Sequence, residues 1–172
     1  MGARQVERAP KLSALIEIQF DAYAPATAEL LGDERIAWLR ELPAEHRLAD
    51  LLVMHAAPGN LWRAPMPDAS DEQLRDTYGG CDAPVVAYGH IHRPYVRKLD
   101  GLVVANSGSA GWPLDGVPRA SYLLIEDGEP RVVRVEYDVE RAAAALERSG
   151  YPDAARLAEM RRRARFVRVG DA

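Results

Sequence analysis

The sequence predicts a mixed α/β domain in which short buried strands alternate with helices. Residues 49–55 (ADLLVMH) and 84–88 (PVVAY) are continuous apolar runs, as expected of strands buried on both faces, and glycine or proline soon follows each. Two Asp-Gly dipeptides typical of hairpin turns join later apolar segments: Asp100-Gly101 and Asp127-Gly128. This order of strands and helices favours a layered α/β domain.

Helical spacing and turn residues predict the remaining elements. Apolar residues at helical spacing in residues 25–42 predict one or two short helices that end at Pro43. Ser70, followed by three acidic or amide residues, is typical of an N-cap, and the helix it begins should close near residues 79–80. Further strands are expected at residues 95–99, 102–105, 122–126 and 131–137, and helices at residues 139–148 and 153–165.

Length and composition indicate a single soluble domain over residues 1–172. Its 48% hydrophobic content is enough for one core, and a net charge of -4 with a pI near 5.6 does not favour nucleic acid or an anionic membrane. The lone Cys81 cannot form an internal disulfide, so we expect a cytoplasmic protein. No apolar run approaches the roughly 20 residues that span a bilayer, and residues 1–20 are not predicted to be a signal peptide.

Three of the four histidines follow predicted strands directly. His55 follows LLVM, and His90 and His92 follow PVVAY in the unit GHIH. Imidazole is a common ligand of first-row metals, and sites in α/β sheets form where strand C-terminal ends open into loops. A turn at Gly89 allows the two GHIH rings either to point the same way or to splay apart. The pattern favours a metal site, although each histidine alone also fits an ordinary loop residue, which is what we expect of His46.

Three successive segments resemble the calcineurin-like metallophosphoesterases. They are HAAPGN at residues 55–60, GHIHRPYVRKLDG at 89–101 and NSGSAGWPLDGVPRASYLLIEDG at 106–128. The last two are specific, because a strand-terminal GH-x-H followed by an Asn-x-Gly-Ser loop and a Pro-Arg-x-Ser-Tyr strand entry rarely arises by chance. The resemblance covers residues 27–137, leaving 138–172 as C-terminal helices, and is closest to the small bacterial phosphodiesterase-like branch. It implies the C-terminal half of a four-layer αββα metallophosphoesterase sandwich.

The resemblance also implies a metal-dependent phosphoric ester hydrolase that acts on a small phosphate ester as a phosphodiesterase or phosphatase. In that family two divalent ions are bridged by an aspartate and by the hydroxide that attacks phosphorus. His55 and His90 are implied as ligands of one ion and His92 as a ligand of the other. Mn²⁺, Zn²⁺, Fe²⁺ and Ni²⁺ are the candidate ions.

The loop after residue 105 is implied to serve the same site. Asn106 and the backbone amides around Gly108 and Ser109 would support the metal ligands or contact a phosphate oxygen, because consecutive N–H groups in a tight loop form an anion nest. Turn formation alone explains the same residues equally well.

The acidic part of the family's site does not occur in this sequence. The family's Asp-x-His, Gly-Asp and Gly-Asn-His supply a bridging aspartate, a metal-binding asparagine and a leaving-group acid, whereas Asp21, Asp33 and Asp50 lack the strand-end glycine context. Three neutral imidazoles do not offset the repulsion between two close dications, so we expect at most one bound ion. We expect either a truncated or mis-started reading frame, completed by a separate N-terminal half or a second copy, or a fold kept for another purpose.

Two other functions stay open on the sequence. A non-catalytic interaction scaffold of the same fold is favoured by the missing acidic ligands and disfavoured by the three histidines. An arginine-rich end suggests nucleic-acid binding, but cations near a helix C-terminus also complement the helix dipole, and stacking aromatics are absent there apart from Phe166. The arginines concerned are Arg161, Arg162, Arg163, Arg165 and Arg168.

Overall fold

The computed structural model describes residues 19–168 as two β-sheets with helices packed around them. The expectation that residues 1–20 are not a signal peptide falls almost entirely outside this range. The first half contains a π-helical turn (Gln19–Tyr23), α1 (Ala24–Glu41), β1 (Glu45–Leu48), β2 (Leu51–Met54), α2 (Asp71–Tyr78) and β3 (Val85–Tyr88). The second half contains β4 (Tyr95–Leu99), β5 (Leu102–Asn106), β6 (Ala120–Glu126), β7 (Glu129–Val135), α3 (Val139–Glu147) and α4 (Ala154–Arg163).

The central sheet has five strands in the order β1-β2-β3-β5-β4. Strands β2, β3 and β5 are parallel, whereas β1 and β4 run antiparallel to their neighbours at the two edges. The register places Met54 beside Tyr88 and Tyr88 beside Asn106, so three strands end in one row. Strands β6 and β7 form a separate antiparallel ladder. This mixed sheet with flanking helices confirms the predicted α/β fold class.

One face of the central sheet packs against α2. Alternate residues of a strand point to the same face, so each of β2, β3 and β5 contributes two apolar side chains to this contact. The hydroxyl of Tyr78, on α2, donates to the carbonyl oxygen of Ala56 at 2.8 Å, which satisfies its buried polar atom. The core consists of Leu52, Met54, Leu74, Tyr78, Val86, Tyr88, Leu102 and Val104.

Helix α2 begins as predicted, because Ser70 forms a capping box with Gln73. The backbone N–H of Gln73 donates to Ser70 Oγ at 3.2 Å, and the backbone N–H of Ser70 donates to Gln73 Oε1 at 2.9 Å. Both bonds satisfy amides that the first helical turn leaves without an intrahelical partner. The sequence signal was sufficient here because capping is a local interaction.

A second apolar cluster joins α3 and α4 to the start of α1. Leu157, Met160 and Val167 are its buried members, and Tyr23 and Trp112 pack against them. The cluster therefore links three parts of the chain that are distant in sequence.

The buried Arg156 strengthens the same junction. Its guanidinium pairs with Asp153, donates to the hydroxyl of Tyr23 at 2.5 Å and donates to the carbonyl oxygen of Val167 at 2.9 Å. A buried charge with several partners avoids the large penalty of an unpaired one. Arg156 thus ties the first described turn of the chain to its last residues.

Two local expectations about the first strands were wrong. Strand β1, with the polar sequence EHRL, was not predicted, and His46 lies within it rather than in a loop. Strand β2 is buried on one face only, since Val53 is 38% exposed. A four-residue polar edge strand lacks an apolar pattern, so its pairing with β2 is a tertiary outcome.

Helix α1 is bent at Gly32, whose φ of 74° and ψ of 164° interrupt the helix, in agreement with the expectation of one or two short helices. It buries none of its residues, and Trp38 is 59% exposed. Across residues 19–168, no helix is both long and apolar enough to cross a membrane.

Leu74→Ala is expected to lower the free energy of unfolding by about 2–5 kcal/mol, because it leaves a cavity under the central sheet. Leu74 is 1% exposed, whereas Leu30, at 74%, provides a matched control whose replacement by alanine should change stability by less than about 0.5 kcal/mol. Urea unfolding followed by circular dichroism measures both. Equal losses would show that the α2 contact is not the core of the domain.

Candidate metal centre

The loops that leave β2, β3 and β5 meet at the C-terminal ends of these parallel strands. His55 follows β2 directly, and the backbone N–H of Gly89, after β3, donates to the His55 carbonyl at 3.0 Å. The side chain of Asn106, at the end of β5, donates to the carbonyl oxygen of Gly89 at 2.5 Å. The N–H of Ser107 donates to the Tyr88 carbonyl at 3.2 Å. Hydrogen bonds therefore join the three strand ends and fix the positions of the histidines that follow them.

His55 and His90 are in direct contact. His55 Nε2 lies 3.1 Å from His90 Nδ1, and the two rings meet edge to face with centroids 5.0 Å apart. His90 Nε2 lies 3.0 Å from the carbonyl oxygen of Trp62. Because a carbonyl oxygen can only accept, this contact assigns the His90 proton to Nε2 and leaves Nδ1 free to act as a ligand or acceptor.

The spacing of this histidine pair suits two ligands of one metal ion. With metal–nitrogen bonds of about 2.0–2.1 Å, adjacent nitrogens lie about 2.8–3.0 Å apart in an octahedral shell and about 3.3–3.4 Å apart in a tetrahedral one, so the two geometries together span about 2.8–3.4 Å. The observed 3.1 Å between His55 Nε2 and His90 Nδ1 falls in that interval. The distance between the two nitrogens is therefore compatible with both binding one ion, once the proton between them is lost.

His92 belongs to the same loop and is held from two sides. Its Nδ1 lies 2.9 Å from the carbonyl oxygen of Trp112, and its own carbonyl accepts the N–H of Leu114 at 3.0 Å. The Trp112 contact assigns the ring proton to Nδ1 and leaves Nε2 as the potential ligand. In metal sites a backbone carbonyl often orients histidine in this way.

Both histidines of the GHIH unit adopt a backbone conformation that side chains other than glycine rarely take. Their φ angles are 58° at His90 and 55° at His92. Such residues cost about 1–3 kcal/mol each and persist only where the surrounding contacts hold them, often at functional sites. The GHIH unit contains two such residues, separated by one position.

The site favours neutral imidazole rings. Burial lowers the pKa of His55 below its usual value, and the neighbouring His90 and His92 lower it further. Burial also lowers the pKa of His92, partly opposed by the hydrogen bond to Trp112. Only neutral imidazole binds a metal ion, so the lowered pKa values reduce competition from protons near neutral pH.

The loop after β5 supports the site through buried hydrogen bonds. The N–H of Gly108 donates to the buried Asn106 side chain at 2.9 Å, and the N–H of Ser109 donates to Ser121 Oγ at 3.0 Å. These two amides are thus engaged within the protein in this conformation. Gly108 has a φ of 71°, and a Cβ there would lie 2.1 Å from Ser121 Oγ and 2.9 Å from Pro94, so no larger residue fits.

No carboxylate joins the histidines in the described part of the chain. Among residues 19–168, no group of three or more His, Cys, Asp or Glu side chains could hold a metal ion. Asp33 follows the bend in α1, Asp50 lies in the turn between β1 and β2, and His46 is exposed on the edge strand. His55 and His90 are therefore a two-ligand pair that His92 does not complete in this conformation, and the described side chains do not fit a pair of bridged ions.

Sequence reasoning missed the two backbone carbonyls that orient the rings. Trp62 serves His90, and Trp112 serves His92. Because every residue has a carbonyl group, nothing in the sequence marks these two. Only the folded loops bring them within reach of the imidazoles.

Two solved structures share this fold. A metallophosphoesterase from Sphaerobacter thermophilus superposes with a TM-score of 0.69 at 24% identity, over 79% of this chain and 63% of its own. A hypothetical protein from Pyrococcus horikoshii superposes with a TM-score of 0.70 at 17% identity, over 81% of this chain and 57% of its own. The likeness shows that the chain has a metallophosphoesterase fold.

The family model of the calcineurin-like phosphoesterase superfamily domain matches residues 25–128. An uncharacterized protein of Methanocaldococcus jannaschii is 27% identical over 150 residues, which are 74% of this chain and 59% of that protein. A probable metallophosphoesterase of Methanothermobacter thermautotrophicus is 31% identical over 86 residues, which are 50% of this chain and 43% of that protein.

The chain therefore belongs to the calcineurin-like phosphoesterase superfamily. The family resemblance inferred from the three sequence segments is confirmed. The chain spans less than two thirds of the length of each of these relatives and solved structures.

In NMR titrations without metal, His55 and His92 are expected to have midpoints below 6.5, because burial disfavours the charged imidazolium. The neutral form should therefore dominate at pH 6.5 and above, and protonation should begin only as the pH falls further. A midpoint at or above 6.5 for both rings would contradict the burial described here.

Proposed function

We propose that this chain provides the histidine ligands of a metal-dependent phosphoric ester hydrolase that acts on small phosphodiesters or phosphomonoesters. The observation that carries the proposal is the approach of His55 Nε2 and His90 Nδ1 to 3.1 Å at the row of strand ends. Membership of the calcineurin-like phosphoesterase superfamily supports the same chemistry.

Each residue of the site has a separate part in this proposal. His55 and His90 hold one divalent ion. His92 supplies a further imidazole, whose ring Trp112 orients so that Nε2 is the nitrogen without a proton. Asn106 fixes the carbonyl of Gly89 and so the start of the histidine loop. When bound, a divalent ion such as Mn²⁺ or Zn²⁺ polarises a phosphoryl oxygen and lowers the pKa of water.

The described residues favour one ion rather than two. Imidazoles are neutral ligands, and residues 19–168 bring no carboxylate into the histidine cluster to offset the charge of a second ion. We propose that full activity requires acidic ligands from polypeptide outside this range, either on a separate chain or on a second copy.

Two of the arginines at the end of α4 pair with glutamates, which does not favour a role for them in nucleic-acid binding. Arg162 pairs with Glu140 and Glu147, and Arg163 pairs with Glu159.

Burial raises the pKa of the Cys81 thiol, which keeps it protonated and unreactive. A lone protonated thiol suits the cytoplasm, which we propose as the location.

A non-catalytic interaction scaffold is the second candidate function. It is favoured by the lack of a carboxylate beside the histidines in residues 19–168 and by exposed apolar side chains on α1, such as Trp38. In this case the fold would present a binding surface, and the histidines would hold one ion or none.

Titration with Mn²⁺ or Zn²⁺ is expected to show at most one tightly bound ion per chain. His90→Ala and His92→Ala should each weaken binding by more than about tenfold, because each removes an imidazole from the cluster. Isothermal titration calorimetry and elemental analysis of the loaded protein measure affinity and stoichiometry.

His46→Ala is the matched control, since His46 lies in the edge strand and is exposed. Its affinity should equal that of the unmodified chain. Two tight ions per chain would contradict the single-ion proposal, and equal weakening in all three variants would indicate adventitious surface binding.

With Mn²⁺, the chain alone is expected to hydrolyse an aryl phosphodiester far more slowly than an intact family member. General acid catalysis alone contributes about 10²- to 10⁴-fold, and no leaving-group acid is identified among the described residues. Adding a polypeptide that carries Asp-x-His, Gly-Asp and Gly-Asn-His segments should restore turnover that depends on His92. Comparable turnover by the chain alone, abolished by His92→Ala, would mean that Asp21 or a second subunit completes the site.

A further inference from the structure

Helix α4 lies beyond the segment that matches the family domain, yet it contacts the loop that holds His92. The match covers residues 25–128, whereas α4 spans Ala154–Arg163. The connection runs through Trp112, which packs against the apolar cluster of α4. The residue that orients His92, Trp112, is therefore held by a helix outside the segment that matches the family.

The contact with His92 is made by a short rigid segment. The carbonyl of Trp112 faces His92 Nδ1 at 2.9 Å, and the N–H of Leu114 donates to the His92 carbonyl at 3.0 Å. Between them lies Pro113, which is fully buried. A proline between the two contacts restricts the backbone, so a displacement of Trp112 changes the position of the His92 ring.

Trp112 is in turn anchored at both its backbone and its indole ring. Its N–H donates to Ser109 Oγ at 2.8 Å, and the guanidinium carbon of Arg161 lies 5.7 Å from the ring centroid. Arg161 Nε is buried and makes no hydrogen bond within the described structure. The guanidinium is therefore not oriented through that atom, and the indole face is its identified contact.

A second bond ties the same loop to the end of α4. The N–H of Gly116 donates to the carbonyl oxygen of Ala164 at 2.8 Å, directly after the helix. The loop is thus attached to the α4 region at Trp112, which touches His92, and again at Gly116, two residues after Leu114. A change at Arg161 can reach the imidazole through a continuous series of contacts.

We propose that Arg161 and Trp112 are positioning residues that hold the His92 ring with its proton on Nδ1 and with Nε2 free to bind a metal ion. Neither residue touches the ion or the substrate. The arginine-rich helix therefore contributes to the metal centre through its contact with Trp112. The metal-binding part of this inference rests on the proposed function, whereas the tautomer of His92 can be measured without metal.

The test uses four versions of the chain. Arg161→Ala removes the whole side chain, Arg161→Gln keeps most of its stem without the charge, and Arg163→Ala is the control. Arg163 lies on the same helix and carries the same charge, but its side chain is 59% exposed and pairs with Glu159. Thermal unfolding establishes that each variant is folded before its binding is compared.

Two measurements follow. Long-range ¹H–¹⁵N NMR at pH 8 without metal should show the Nδ1–H tautomer of His92 in the unmodified chain and in Arg163→Ala, and a mixture of tautomers in both Arg161 variants. Titration with Co²⁺ alone, followed by its visible absorption, should show affinity reduced about tenfold in the Arg161 variants and unchanged in Arg163→Ala, as expected when a group that orients a ligand is lost.

The proposal is overturned if both Arg161 variants keep the Nδ1–H tautomer of His92 and a Co²⁺ affinity within twofold of the unmodified chain. It is also overturned if Arg163→Ala changes the tautomer and the affinity as much as the Arg161 variants do. An Nε2–H tautomer in the unmodified chain also overturns it. If the unmodified chain binds no Co²⁺ while the tautomer still changes only in the Arg161 variants, the proposed function fails and the positioning role stands.

Discussion

The parallel register of β2, β3 and β5 is the constraint on which the site depends. It places Met54, Tyr88 and Asn106 side by side, so the residues that follow these strands emerge at the same edge. Hydrogen bonds through Gly89 then join the three ends. A shift of one residue in any of these strands would send its side chains to the opposite face and separate His55 from His90.

The histidine loop is a strained segment held by its surroundings. His90 and His92 both have positive φ angles, a conformation that is unfavourable for residues with a Cβ. The bonds that oppose this strain come from Asn106, Trp62 and Trp112, which lie in three other loops or strand ends. The geometry of the metal ligands is therefore a property of the whole sheet edge rather than of the GHIH unit alone.

The C-terminal helices and the histidine site are connected by packing and hydrogen bonds. Arg156 joins Tyr23 to Val167, near the last described residue. Tyr23 and Trp112 both pack against the apolar cluster of α4. By contrast, α1 and β1 expose apolar residues such as Trp38 and Leu48. The described structure is thus well packed on the side that supports His92 and open on the side of α1 and β1.

The sequence by itself determined the elements whose signals are local. The buried strand β3, the Ser70 capping box of α2 and the Asp-Gly hairpin turns follow from residue patterns within a few positions. The GH-x-H segment, together with the Asn-x-Gly-Ser loop and the strand entry after it, was sufficient to recognise the family. His55 and His90 are 35 positions apart, and their approach was expected from their places after two buried strands, whereas only the resemblance implied that they bind the same ion.

Tertiary structure decided the features that depend on distant parts of the chain. Strand β1 exists because β2 offers it a pairing edge, and Val53 is exposed because nothing in residues 19–168 covers that face. The carbonyls of Trp62 and Trp112 acquire their roles only once folding brings them to the imidazoles. A backbone carbonyl is the same at every position, so its partner is set by the fold and cannot be identified from residue type.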